Sequence, residues 1–512
     1  MNLKKILLLT ALFAAGSPAF AQYATDAIRF SQTRQGASAR FKAMGGAQTA
    51  VGGDIGSLAS NPAGLGLFTK SEFNISTGFS NWQVESRYIG QNSDAKKDQM
   101  IIDQIGGVIY NPTLRSKGDD LKTGWLSFNY GVSFNKTNNF NNTIDYSGAN
   151  PNSSIADYFS DLASFYLSEG DPVTNSNALP ANSLESMAYK NFLIEYDQDG
   201  YFPTTALGSN QRNLVYRTGS QSEVNFGGGA NYSNKLYIGA SVAIASVNYN
   251  VDRQFIEGGN NRLYVGQPVD FIGGTYELDY NNNQVTTGTG VNGKLGMIYR
   301  ATEAVRIGLS FTTPTWYQIS DTFSEYLDTR YSRANGSPIS PYTNNPQIYD
   351  TEYTLRTPYR VNGGLSAIVN QQGLISADIE YVDYSSVNFK TNDRIAEVNT
   401  NEEIRDSYQA ALNLRVGGEY KINNMMLRAG YNRIGSPLKN IEVSSDILSA
   451  GIGFRSNMLY LDLTYQNATT NTTSTPYLIS NSYADFGTTG AGETATLKNT
   501  NNNVFLTVGA RF

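Results

Sequence analysis

The chain has 512 residues, with 44 Asp and Glu against 38 Lys and Arg, a formal net charge of −6, and neither His nor Cys. Charged residues make up only 16%, against about 25% in ordinary soluble proteins, while aromatics reach 12% with 34 Tyr, and Gly numbers 49. The acidic balance argues against nucleic acid as a partner, and the missing His and Cys exclude disulfides, thiolate and His-based acyl-transfer chemistry and zinc catalysis, so no catalytic residue, metal site or cofactor is expected.

In chain order, residues 1–21 read as a secretory signal. Lys4 and Lys5 form the basic start, Ile6–Ala15 the apolar core and Ala19-Phe20-Ala21 the small-x-small cleavage site. Past Ala21 no apolar run approaches the roughly 18 residues of a membrane-spanning helix. Residues 22–70 come next, and within them Gly45–Phe68 is rich in Gly and Ala, carries one charge (Asp54) and repeats with neither period 2 nor 3.6. Such a stretch is too apolar for a flexible tail and too glycine-rich for a regular element. It predicts a compact plug held inside something larger. Pro62 fixes its own φ and turns Asn61 away from helix, Asn61 can bond its own backbone, and Gly64 permits a tight turn. Asn61, Pro62, Ala63 and Gly64 are therefore the candidate turn, read either as a seal or as a moving gate.

From residue 71 to 512 the dominant pattern is period-2 alternation in pieces of about ten residues. Leu126, Phe128, Tyr130, Val132 and Phe134 alternate with small or polar residues. So do Val305, Ile307, Leu309 and Phe311, then Leu459, Leu461, Leu463 and Tyr465, and finally Val504, Leu506, Val508, Ala510 and Phe512. The segments are 71–85, 100–111, 124–138, 220–232, 236–251, 285–300, 304–319, 354–369, 374–389, 408–421, 425–434, 445–455, 458–468 and 501–512. After the second, short links near Asn234, Ala301–Glu303, Asn370–Gly373, Lys421–Asn424 and Arg455–Asn457 alternate with long ones at 139–219, 252–284, 320–353, 390–407, 435–444 and 469–500. An even strand count with segregated link lengths predicts an all-β fold, a 14-stranded antiparallel transmembrane β-barrel. A lumen of that size needs closing, and residues 22–70 are placed to act as its hatch. A 22-stranded, energy-coupled chelate transporter would need a longer chain.

The longest loop, 139–219, holds an amphipathic helix over 154–168 with Ile155, Phe159, Leu162 and Tyr166 on one face. That face either packs the loop onto the barrel rim or offers a landing surface to an apolar ligand. Residues 393–406 suggest a second short helix. Gly288–Gly293 matches G-x-G-x-x-G but runs into a period-2 strand, so it reads as strand glycines and not as a nucleotide loop. Lys294, Arg306, Asp378, Glu380, Arg415, Glu419, Arg428, Asp462 and Arg511 fall on the inward faces. Both signs occur, as in any wet lumen; Arg415 or Arg428 is also suited to a substrate carboxylate.

Met44–Asp54 (MGGAQTAVGGD) and Ser57–Leu65 (SLASNPAGL) resemble the FadL-type outer-membrane transporters, which carry long-chain fatty acids and aromatic hydrocarbons. The resemblance implies an N-terminal hatch with its Asn-Pro-Ala motif at Asn61-Pro62-Ala63, fourteen strands ending on the aromatic Phe512, and an external hydrophobic groove contributed by 139–219. It also implies passive uptake of hydrophobic molecules or lipids by a monomer in the bacterial outer membrane, gated by the hatch, with exit inward or sideways through the wall. The alternatives are a haem-binding receptor, with Tyr or Met in place of His as axial ligand, an adhesive surface barrel, and a general solute pore.

Overall fold

The computed structural model describes residues 18–34, 36–116, 120, 122–164, 179–197, 200–339, 345–479 and 492–512. Most of the expected signal segment lies outside them, and helix α1 (Pro18–Ser31) runs across the expected cleavage point at Ala21. The short helix α2 (Ala39–Ala43) and two 3-10 turns, Ile55–Ala59 and Pro62–Leu67, follow before the first strand.

The strands are β1 (Glu72–Tyr88), β2 (Gln91–Ile109), β3 (Trp125–Asn139), β4 (Asn142–Asn150), β5 (Ile194–Asp197), β6 (Gly200–Pro203), β7 (Ser209–Tyr232), β8 (Leu236–Asn260), β9 (Thr275–Arg300), β10 (Val305–Thr312) and β11 (Trp316–Ser332). They continue with β12 (Pro338–Ile339), β13 (Gln347–Arg356), β14 (Arg360–Val369), β15 (Gly373–Asp383), β16 (Asn388–Lys390), β17 (Ala410–Ile422), β18 (Met425–Ile434), β19 (Ser445–Arg455), β20 (Leu459–Ser474) and β21 (Ala495–Arg511). The loops carry helices α3 (Ile155–Ser164), α4 (Leu184–Lys190) and α5 (Arg394–Ser407), with 3-10 turns at Val269–Phe271 and Tyr384–Ser386. All strands but the β5–β6 hairpin join one antiparallel sheet. It closes on itself where Glu72–Arg87 of β1 pairs with Thr496–Arg511 of β21. Several strands are pieces of one wall stave, and the staves number fourteen.

The alternation dictates the two faces. Phe73, Ile75 and Phe79 on β1, Ile307, Leu309 and Phe311 on β10, and Leu459, Leu461 and Leu463 on β20 all point outward and are exposed. They belong to an apolar belt around the barrel. Among the described residues no helix is long and apolar enough to cross a membrane.

The structure departs from the expected boundaries in two ways. Several strands run well past the belt toward the long loops: β7 starts at Ser209, β8 ends at Asn260, and β11 reaches Ser332. There the outward face turns polar while inward residues such as Phe255 and Leu327 stay buried against the loop helices, so the hydrogen-bond ladder persists after the outward apolar belt has ended. The expected continuous strands 304–319 and 354–369 are each broken, between β10 and β11 and between β13 and β14. The register across the pair carries through, so Pro314 and Pro358 face each other. Neither has an N–H to give, and the ladder stops there. The Thr315 N–H donates instead to Thr357 Oγ1 at 2.8 Å.

Candidate functional site

Residues 36–68 lie inside the barrel near its short-turn end, and local capping explains their shape. Ser38 caps α2 by accepting from the Phe41 N–H, and its own hydroxyl donates to Asp54 Oδ2 at 2.5 Å. Asp54 Oδ1 accepts from the Gly56 N–H at 2.9 Å and so starts the first 3-10 turn. Asn61 starts the second: its Oδ1 accepts from the Ala63 N–H at 3.2 Å, with Pro62 in the first-turn position that tolerates a missing donor. The Asn61 amide donates to Thr49 O at 2.6 Å within the segment and to Met297 O on β9 at 3.3 Å. Gly64 packs on Ser57, where a Cβ would collide with the hydroxyl.

The barrel wall grips this segment on several sides. The Thr49 N–H donates to Asp378 at 2.8 Å, Arg306 donates to Val51 O at 3.1 Å, Ser241 to Leu58 O at 2.9 Å, and Asn129 to Leu65 O at 2.7 Å. A one-residue bulge in β2 turns both Asp103 and Gln104 inward. Asp103 then accepts from the Ala37 N–H at 3.1 Å and pairs with Lys42 at 3.0 Å. The strongest clamp is an ion-pair chain. Arg40 Nε donates to Glu419 at 3.1 Å, Glu419 also accepts from Arg428 Nε at 2.6 Å, and Arg428 Nη1 reaches Asp462 at 2.6 Å. The plug lies directly on the wall where the wall has no side chain: a Cβ on Gly308 would overlap the Thr49 carbonyl, and one on Gly296 the side-chain oxygen of Asn61.

Between this plug and α1 lies a cavity of about 570 Å³. Arg29, Arg34, Lys294, Arg360, Arg415 and Arg217 line it together with Glu223, Glu380 and many Thr and Asn side chains. Lys294 is matched by Glu223 at 2.8 Å, and Glu380 is shared by Arg360 and Arg415, each at 3.1 Å. Among the described residues no carboxylate pairs with Arg34 or Arg217, so the cavity is cationic. Toward the long loops, α1 sits on aromatic rings. Tyr23 stacks on Phe389 at 5.1 Å, and Phe30 meets Phe140 and Tyr249 edge-on, both at 6.0 Å.

The wall beside the cavity is incomplete. β2 and β3 pair only over Gln104–Ile109 and Tyr130–Asn135. Beyond Asn139 the chain bends inward as β4, which pairs only with β7 and lays Tyr146 on Tyr88 of β1 at 5.0 Å. The outer part of β2, from Gln91 to Asp103, is therefore left without a ladder partner on that side. Thr137, Asn138, Asn142 and Ile144 border both this gap and the cavity.

The expected site residues separate by place. Asn61, Pro62, Ala63 and Gly64 are buried at the contact of plug and wall. Arg415 lines the cavity, with Glu380 and Asn362 as neighbours. Arg428 does not line it: its side chain is fully buried between Glu419 and Asp462, so the carboxylate-holding role expected of it gives way to clamping the plug. Phe159 is buried in the outer loop cluster against Tyr280, and Leu162 packs on the same cluster. That face is covered by the barrel's own strands, because Ser154 and Ile155 at the start of α3 are tied to the Glu257 carboxylate at 2.5 and 3.0 Å. Tyr166 lies outside the described residues. The sequence reading passed over Arg34 and Arg217, which the cavity brings together, and Arg40, Asp103 and Asn129, which hold the plug.

No protein-family model matches the sequence, and no curated protein matches it. Among solved structures, the toluene transporter TodX of P. putida aligns over 93% of this chain and 99% of its own, with a TM-score of 0.50 at 14% identity. A FadL homologue of Pseudomonas aeruginosa aligns over 93% of this chain and 98% of its own, with a TM-score of 0.53 at 11% identity. The likeness is one of fold: this chain is built as they are.

Proposed function

We propose that the chain belongs with the FadL-type transporters and is an outer-membrane channel for passive uptake of hydrophobic molecules, with residues 22–70 as its hatch. The observation that carries this reading is a barrel that is blocked along its axis yet interrupted at its side. A plug held by hydrogen bonds from many staves makes a poor open pore for solutes. An unladdered stretch of wall beside the lumen gives an apolar cargo a way to leave toward lipid without crossing the plug. The fold shared with a toluene transporter and a FadL homologue supports the same reading.

Arg34 and Arg217 refine the cargo. Two cations with no carboxylate in ion-pair contact among the described residues, Asp26 acting on Arg217 only at longer range, favour an acid-headed chain, such as a long-chain fatty acid, over a neutral hydrocarbon. Arg415, already balanced by Glu380, is the secondary candidate for the head group. Lipid extraction and mass spectrometry of protein purified from its membrane test this. A co-purifying fatty acid or hydrocarbon supports the proposal. Stoichiometric haem absorbance, or porin-like conductance by the intact protein, overturns it.

A further inference from the structure

On the long-loop side of the cavity, two carboxylates from different parts of the chain meet at one amide. Asp26 sits on α1, and Asp321 on the part of β11 beyond the apolar belt, where the outward residues Gln318 and Ser320 are polar. Gln284 of β9 donates through its single Nε2 to Asp26 Oδ2 at 2.6 Å and to Asp321 Oδ1 at 2.9 Å. Both hydrogens of that amide are thus used to join the helix to the wall. Thr286 also donates to Asp321, and Arg29 on the helix pairs with Asp26. Asp26 is 1% exposed and Asp321 2%.

We propose that Asp26, Gln284 and Asp321 form an acid-tightened latch that holds the N-terminal helix in the lumen and loosens it as pH rises. The oxygens on either side of Nε2 repel when both acids are ionised, and burial outweighs the arginines that act on them, Arg29 on both and Arg217 on Asp26. The other groups facing the latch do not cancel this. Arg217 favours the ionised form of Asp26 but is itself repelled by Arg29, and burial pushes the hydroxyls of Tyr23, Tyr353 and Tyr408 up, which keeps them neutral over the range concerned. From α5, Glu403 lies beside Tyr408 and is pushed up to about 8 by burial, outside the window in which the two aspartates titrate.

The sign follows from linkage. Burial pushes the Asp321 carboxyl up to about 6, with Asp26 adding to the rise, and burial raises Asp26 as well. The docked helix therefore holds its protons more tightly than a released one, in which these acids return to the ordinary carboxylate range. Docking is firmest in acid, weakens as pH rises through about 6, and levels off above it.

Hydrogen exchange of full-length protein in detergent or bilayer, read at residues 23–31 and corrected for the intrinsic pH effect, tests this without measuring transport. The latch predicts about tenfold faster exchange at pH 7.5 than at pH 5 in the wild type. It also predicts a shallower, more protected profile in Asp321→Asn, which keeps the shape, loses one charge and leaves Asp26 alone to titrate. Asp26→Asn serves as the second variant, with assembly checked by heat-modifiable gel migration. A flat wild-type profile, or an unchanged slope in Asp321→Asn, overturns the proposal. A transport defect alone leaves this readout unaffected, so the latch and the cargo reading fail separately.

Discussion

Arg40 carries the plug's contact to the wall that can be removed without stranding a charge in the wall itself. Its Nε and Nη2 reach Glu419 at 3.1 and 3.4 Å, and Nη1 reaches Gly53 O at 3.2 Å. Arg40→Ala removes these bonds but leaves Glu419 paired with Arg428 at 2.6 Å, so the wall keeps no stranded charge. Losing a charge-assisted contact of this kind costs about 2 kcal/mol, which shifts the docking equilibrium about thirtyfold toward release. Arg428→Ala is the contrasting change. It strands Asp462, 1% exposed at its side chain, and a broken buried pair costs about 3–5 kcal/mol, borne by the barrel as well as the plug. Planar-bilayer recording reads the difference: Arg40→Ala opens far more often than wild type at unchanged thermal stability, while Arg428→Ala unfolds at lower temperature. Wild-type opening frequency and wild-type amide protection of residues 36–68 in Arg40→Ala would refute the clamp.

Three further outcomes follow from the same contacts. Gly308→Val drives a side chain into the Thr49 carbonyl, so the barrel assembles but leaks in liposome swelling, whereas Gly363→Val, on the lipid-facing side, does not. Asn61→Asp keeps the acceptor for the Ala63 N–H and loses both donations from Nδ2, to Thr49 and Met297. It should therefore raise leakage nearly as much as Asn61→Ala, a gap between the two instead assigning the effect to the cap. Asp103→Asn forfeits the charge opposite Lys42 and costs about 1–3 kcal/mol of plug docking, read as faster exchange at residues 36–43.

The staves were legible because lipid imposes a strict rule: every second residue is apolar where the strand crosses it. Leu459, Leu461 and Leu463 obey it, and so does each inward charge between such residues. Where lipid ends the apolar side switches from the outward to the inward face, as at Tyr276, Leu278 and Tyr280 of β9, which is why the long extensions of β7, β8 and β9 did not read as membrane staves. Pro314 and Pro358 were readable as interruptions within their segments, but their facing each other depends on register. The charged residues were placed on the correct face by parity alone. Their partners were not, since Arg40 and Glu419 lie 379 positions apart and no local pattern joins them. Asp103 was hidden for a different reason: a bulge reverses parity, and only the ladder reveals a bulge. Glycines such as Gly296 and Gly308 carried a signal in their inward parity, and its meaning emerged only once the plug lay against them.

The central claim, passive entry of hydrophobic cargo through a barrel closed to solutes, is tested most directly by uptake. Proteoliposomes containing the full chain are given a radiolabelled long-chain fatty acid and, separately, a labelled sugar of similar mass, with no energy source. The account predicts faster entry of the fatty acid than in protein-free vesicles, with sugar entry unchanged. Equal fatty-acid entry with and without correctly assembled protein, or rapid entry of the sugar, would contradict it.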